Sequence, residues 1–218
     1  VSVSDPIAAA VFDCDGLLVD SAACWRLAYE RALARRGRAL DEELLARLSG
    51  ASVASAARLL ELEAELLRAE LARAFRDEPL PALPGAALLL EALAGRLPVA
   101  VATNAPAELA TLALQRAGLG EVLPPIVSAD GGRQKPEPDV YLAACGRLGA
   151  APGQAVAFED SPVGAAAALA AGVRLVYVPS GVGGDVPGAE LEAGRLDEGC
   201  VLELLGVGLE LTNTNRSR

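Results

Sequence analysis

The stretch Phe12-Asp13-Cys14-Asp15-Gly16-Leu17-Leu18-Val19-Asp20-Ser21 decides how this chain is read. An apolar run, Ile7 to Phe12, delivers two carboxylates two residues apart, and Gly16 then lets the backbone turn. If Asp13 ends a β-strand, the period of two puts Asp15 on the same side, with Cys14 facing away. Carboxylates that close repel each other, so one must hold a proton or a cation must sit between them. The pattern suits metal-assisted chemistry in which one Asp attacks and the other moves a proton. By themselves the residues fit equally well a strand end with a solvated Asp-x-Asp-Gly turn.

Short apolar runs recur at Ile7–Phe12, Pro98–Ala102, Pro125–Ser128, Ala155–Phe158 and Leu175–Val178. Each is too short for a helix and is bounded by turn or polar residues, as buried parallel strands are. Helical patterns lie between them, at 86–95, 106–117, 138–148 and 162–171, with Gly118 and Gly149 as stops. The alternation predicts a doubly wound α/β fold, a Rossmann-like parallel sheet. Residues 20–82 interrupt it with helical patterns at 22–36, 41–48 and 53–76, the last with a break. A crossover needs only a dozen or more residues, so the excess reads as an inserted all-helical subdomain. The expected organisation is a first core strand in 1–19, the insertion in 20–82 and the rest of the core in 83–218. Hinges are expected after Asp15 and across Glu78 to Gly85, a surface loop across Pro179 to Gly188, and disorder from Thr212 to Arg218.

Ligands of open α/β sheets sit outside the carboxyl ends of the strands. The strand ends here deliver Asp13 and Asp15, Thr103-Asn104, Lys135-Pro136 and Glu159-Asp160-Ser161, all to one edge. Asp13 is the expected nucleophile, and Asp15 the expected acid and then base. Magnesium, which prefers oxygen ligands and few protein carboxylates, fits Asp13, Asp15 through its carbonyl, Asp160 and Glu159. Thr103 and Asn104 can offer a hydroxyl, an amide and N–H groups to phosphate oxygens, or cap the following helix. Lys135 is the only lysine of the chain, set in a Pro-flanked loop, where it would offset the charge of Asp13 and a phosphoryl group.

Composition narrows the alternatives. The 218 residues allow a sizeable core, and the 52% hydrophobic content includes no apolar run of the roughly 18 residues that span a membrane. No signal peptide is visible, so a cytoplasmic location is expected. Cys14, Cys24, Cys145 and Cys200 lack CxxC spacing and read as reduced thiols. With no histidine, Ser-His triads and zincin sites are excluded. A net charge of −10 without a basic cluster argues against nucleic acid as the partner.

The decapeptide at 12–21, Ala102-Thr103-Asn104, Lys135-Pro136-Glu137-Pro138-Asp139 and Phe158-Glu159-Asp160-Ser161-Pro162-Val163-Gly164 together resemble the four ordered motifs of the haloacid dehalogenase superfamily. The resemblance spans residue 7 to about 180 and points to the phosphatase and β-phosphoglucomutase branch, with a small helical cap after the first motif. It implies a magnesium-dependent phosphotransferase with a transient aspartyl-phosphate on Asp13, and a cap that closes over the substrate. Asp15 matches the phosphatase pattern, since dehalogenases lack that second Asp.

The cap departs from relatives. It lacks the histidine and lysine typical of β-phosphoglucomutases, and Ala22 follows the Asp-Ser pair where several sugar-phosphate phosphatases carry an acid. Its specificity turn, Leu48-Ser49-Gly50-Ala51-Ser52, offers small hydroxyls, so Ser49, Gly50 and Ser52 join Gly16, Thr103, Asn104 and Lys135 as expected substrate and phosphate ligands. Trp25 reads better as packing than as a ligand, and Arg47, Arg58, Arg68 and Arg73 are within possible reach. The expected activity is hydrolysis of a small phosphorylated metabolite of the sugar, polyol or glycolate phosphate class. A phosphosugar mutase and a non-catalytic phosphometabolite-binding protein are the alternatives. A monomer or weak homodimer is expected.

Overall fold

Ala9–Phe12 (β1) is buried at every position, which requires cover on both sheet faces. A computed structural model describes residues 6–180 and 186–207 and supplies that cover. Six parallel strands stand in the order β3-β2-β1-β4-β5-β6. The others are Val99–Thr103 (β2), Ile126–Ser128 (β3), Ala155–Glu159 (β4), Arg174–Tyr177 (β5) and Leu191–Glu192 (β6). The fold class is the expected Rossmann-like one, and the five strand runs read from sequence fall on β1 to β5 within one or two residues. The two-residue β6 and the short helix Gly199–Leu204 (α9) were not anticipated. The part of the expected Pro179–Gly188 loop at 181–185, and the expected disorder from Thr212, lie outside the described residues.

Side-chain alternation divides the sheet. Phe12, Val101, Phe158 and Val176 face one way, toward Ala86–Leu93 (α5), Ala107–Arg116 (α6) and α9. Val11, Ala102, Ala157 and Tyr177 face Asp139–Leu148 (α7) and Pro162–Ala170 (α8). Phe12 and Phe158 are register partners whose rings stack at 4.6 Å, so the residues after them, Asp13 and Glu159, emerge side by side. The chain order reverses between β1 and β4, so these acids stand at the topological switch point.

Between β1 and β2 lie four helices, Ala22–Ala34 (α1), Glu42–Leu48 (α2), Val53–Leu60 (α3) and Ala64–Asp77 (α4). The break expected within 53–76 falls at Glu61, which takes the left-handed conformation at φ 55° and ends α3. Tyr29, Leu33, Leu67, Leu71 and Phe75 are buried among these helices and belong to the same apolar cluster as the adjacent sheet face. The two connecting segments are bound together: the Asp20 N–H donates to the Pro81 carbonyl and the Leu83 N–H to the Leu18 carbonyl. Among the described residues no helix is long and apolar enough to cross a membrane.

Candidate active site

The period of two turns the Asp13 and Glu159 side chains to the sheet face that α7 covers, and Lys135 reaches in from the loop before α7. Its ammonium donates to Asp13 Oδ1 at 2.5 Å, to Glu159 Oε1 at 2.5 Å and to the Ala102 carbonyl at 2.8 Å. All three of its protons are therefore used inside the protein. Tyr141 on α7, which the sequence reading did not single out, donates its hydroxyl to the same Glu159 Oε1. A tyrosine two residues into a helix that begins just after a lysine-bearing loop was the available signal.

Electrostatics set the protonation of this cluster. Asp13 and Glu159 share the site with Asp160, and oxygens of the three lie within 4.8 Å of one another. One ammonium cannot neutralise three carboxylates. Burial first, and then Glu159, Asp160 and Asp15, push the Asp13 carboxyl well above its ordinary range, against the pull of Lys135. Burial and the charge of Glu159 raise Asp160 to about 7, against hydrogen bonding from Ser180. For Lys135, burial favours the neutral amine, but the Asp13 and Glu159 charges outweigh it and hold the group protonated. Converging hard oxygen donors with surplus negative charge are a donor set that could hold a divalent cation.

Asp15 stands apart from that cluster. Its Oδ1 accepts from the Ser21 hydroxyl at 2.5 Å and from the Trp25 indole at 3.1 Å. Trp25 also packs edge-on to Phe75 and tilted against Tyr29, so packing and a polar contact coexist in one side chain. Burial raises the Asp15 carboxyl above its usual range, and the Ser21 and Trp25 hydrogen bonds hold it back. The intervening turn depends on glycine: Gly16 sits at φ 90°, and a Cβ there would run into the Asp160 carboxylate. Gly164 is equally constrained, since a Cβ on it would overlap the Glu159 carboxylate.

Asn104 is a brace. Its Oδ1 accepts from the Lys135 N–H at 2.9 Å, and its amide nitrogen donates to the Gly50 and Lys135 carbonyls. Thr103 Oγ1 accepts from the Ala105 N–H, while Pro106 stands at the N-cap of α6, so neither Thr103 nor Asn104 caps that helix. Ser52 caps α3 and donates its hydroxyl to Gln134 Oε1 at 2.5 Å, where Ser55 joins it. Asp13, Asp15, Gly16, Thr103, Asn104, Lys135, Asp160, Ser49 and Gly50 all line a cavity of about 560 Å³, whereas Ser52 and Glu159 lie behind its wall. Arg47, Arg58, Arg68 and Arg73 do not line it; Arg26 does. Arg68 instead binds Asp130 and Glu108 across to the core.

The chain resembles known proteins in sequence and in fold. The chain is 34% identical over 77% of its length to "Validoxylamine A 7'-phosphate phosphatase" of Streptomyces hygroscopicus subsp. limoneus, with 83% of that protein covered. It is 36% identical over 77% of its length to "Hexitol phosphatase A" of Escherichia coli, with 81% covered. The crystal structure of CbbY from Rhodobacter sphaeroides in complex with phosphate superposes with a TM-score of 0.78 at 27% identity, covering 90% of this chain and 99% of that one. The family model for haloacid dehalogenase-like hydrolases matches residues 7–172, and the chain belongs to that family.

Proposed function

We propose that this protein is a magnesium-dependent phosphatase of a small phosphorylated metabolite, of the sugar or polyol phosphate class, working through an aspartyl-phosphate on Asp13. The observation that carries the reading is the division of the two aspartates. Asp13 lies against Lys135 and the acidic cluster. Asp15 is held across the cavity wall by Ser21 and Trp25. The names of the relatives support the substrate class.

Asp13 attacks the phosphorus, and the bond to the leaving oxygen breaks as Asp15 supplies its proton. The raised Asp15 carboxyl favours the acid form that this step needs. Asp15, now a carboxylate, takes a proton from water as that water attacks the acyl-phosphate, which returns both aspartates to their starting states. Lys135 draws charge from Asp13 and the phosphoryl oxygens, and Glu159 and Tyr141 fix its position. Thr103, at the end of β2, offers its hydroxyl to the phosphate. Asp13, Asp160 and the Asp15 carbonyl would hold Mg²⁺, which when bound supplies charge neutralisation for the transferring group. Residues 20–82 act as the cap, with Ser49 and Gly50 facing the substrate and Ser52 securing the closed arrangement through Gln134. We place the enzyme in the cytoplasm, as a monomer or weak homodimer.

A phosphate-release screen over several dozen phosphometabolites, with and without Mg²⁺ and beside Asp13→Asn, tests the reading. Magnesium-dependent turnover lost in the variant is the expected result. If no compound is turned over above the variant, the proposal fails.

A further inference from the structure

The cap side of the cavity has a chemistry of its own. Ala22, Leu45, Ala46, Leu48 and Ala51 form an apolar wall opposite the carboxylates. Arg26 is the only cationic side chain of the cap that lines the cavity among the described residues, and its charge is already opposed by two carboxylates. Its Nε donates to Glu30 at 2.9 Å and its Nη2 to Glu42 at 2.8 Å. One guanidinium between two carboxylates leaves that corner with a net negative charge. The other cation of the cavity, Lys135, is spent on Asp13 and Glu159. A second phosphate or a carboxylate on the substrate would therefore face methyl groups, a corner of net negative charge and only uncharged donors such as Ser49, with no cation free of a carboxylate to compensate its lost hydration.

Tyr29 is the counterpart. It lines the cavity at 3% exposure, and its hydroxyl has no hydrogen-bond partner among the described residues. Every fully enclosed side-chain nitrogen and oxygen among those residues has one, so this hydroxyl opens onto the cavity. Burial, and then the charge of Asp15, keep the phenol protonated and thus a donor.

Resting on the phosphatase reading, we infer that the substrate is a monophosphate ester with an uncharged leaving group, apolar on the face toward the Leu45 and Leu48 wall and carrying a hydroxyl for Tyr29. Polyol and sugar monophosphates meet this description, their C–H faces lying on the wall. Bisphosphates and carboxylate-bearing esters such as phosphoglycolate do not.

The test uses the intact enzyme with Mg²⁺ and matched pairs: glycerol phosphate against phosphoglycerate, and fructose monophosphate against fructose bisphosphate. The member of each pair with the uncharged leaving group is expected to have at least about tenfold higher kcat/KM, the factor that one unpaired polar group costs. Glu42→Gln, which frees Arg26 from one carboxylate, should raise the phosphoglycerate-to-glycerol phosphate ratio about fivefold. Tyr29→Phe should lower the ratio of sorbitol phosphate to phenyl phosphate about fivefold, the value of one hydrogen bond. Equal or better turnover of the charged members, or ratios unmoved in both variants, overturns the inference while leaving the phosphatase reading intact. Release from none of these compounds above the Asp13→Asn background overturns both.

Discussion

Replacing Lys135 by methionine should unbalance the most buried charge cluster of the molecule. The lysine side chain is 4% exposed and Glu159 fully buried, so water cannot substitute for the ammonium. The variant loses two charge-assisted hydrogen bonds and leaves Asp13 and Glu159 facing each other in a protein interior. Breaking one partner of a buried pair typically costs about 3–5 kcal/mol. With a urea dependence of about 2 kcal/mol per molar, the midpoint of unfolding should fall by roughly 1.5–2.5 M at pH 8 in EDTA. The pH dependence gives a second check. Asp13 and Asp160 titrate above the ordinary carboxylate range when folded, so between about pH 4 and 7 the native protein binds protons that the unfolded chain has released. Stability of the metal-free protein therefore falls as pH rises through that window. The fall should be steeper in Lys135→Met, because Asp13 then ionises beside Glu159 with no cation. As pH falls and Asp13 takes up a proton, the unpaired charge is relieved and the deficit should become smaller than at pH 8. Equal urea midpoints for the two proteins at pH 8 would refute the claim that the ammonium compensates the cluster.

Two further outcomes follow from the same geometry. Trp25→Phe keeps a ring against Phe75 but loses the indole hydrogen bond to Asp15, which lowers the Asp15 pKa; kcat should drop about five- to tenfold, and the basic limb of the pH–rate profile should move to higher pH. An unchanged profile with normal stability would assign Trp25 to packing alone. Adding Mg²⁺ at about a hundredfold over its dissociation constant should stabilise the protein by about 2.7 kcal/mol at pH 8. That gain should fade as pH drops below about 7, where Asp160 takes up a proton and competes with the ion, and calorimetry at pH 8 and 5.5 reads both.

The core was legible in the sequence because its strands are buried on both faces. Runs such as Ala155 to Phe158 have no solvent side to interrupt them, and the polar residue that ends each run is already at the ligand edge. The acids after β1 and β4 could be paired from sequence for the same reason, and the Phe12–Phe158 register puts them abreast. β6 and α9 were missed because two and six residues carry too little periodicity to register. The partners of the site were hidden for a different reason. Tyr141 and Gln134 act through contacts with residues distant in the chain, which their place beside Lys135 only faintly signals, and Tyr29 turns toward the cavity a hydroxyl without a partner among the described residues. Arg26 and the helical arginines read from sequence are alike in pattern; only the placement of α1 and α2 against the cavity distinguishes them.

The contacts that were hard to read are also the ones that join specificity to chemistry. Trp25 and Ser21, just after the first strand, hold Asp15, the carboxylate proposed to deliver the proton. The Gly50 carbonyl, in the turn beside the apolar wall, accepts from Asn104, and Asn104 grips the backbone of Lys135 on both its N–H and its carbonyl. Gln134, the preceding residue, is held by Ser52 and Ser55. A shift of the wall toward a different leaving group thus pulls on the loop that carries the only lysine, and a shift of α1 pulls on Asp15. Substitutions at Leu45 or Ala46, whose apolar side chains make no hydrogen bond to this network, alter the wall without that pull. Gly50, Ser52 and Trp25 do not offer that freedom, because they are hydrogen-bonded to Asn104, Gln134 and Asp15 respectively, and a change there also moves a group to which the proposed mechanism assigns the phosphoryl charge or the proton.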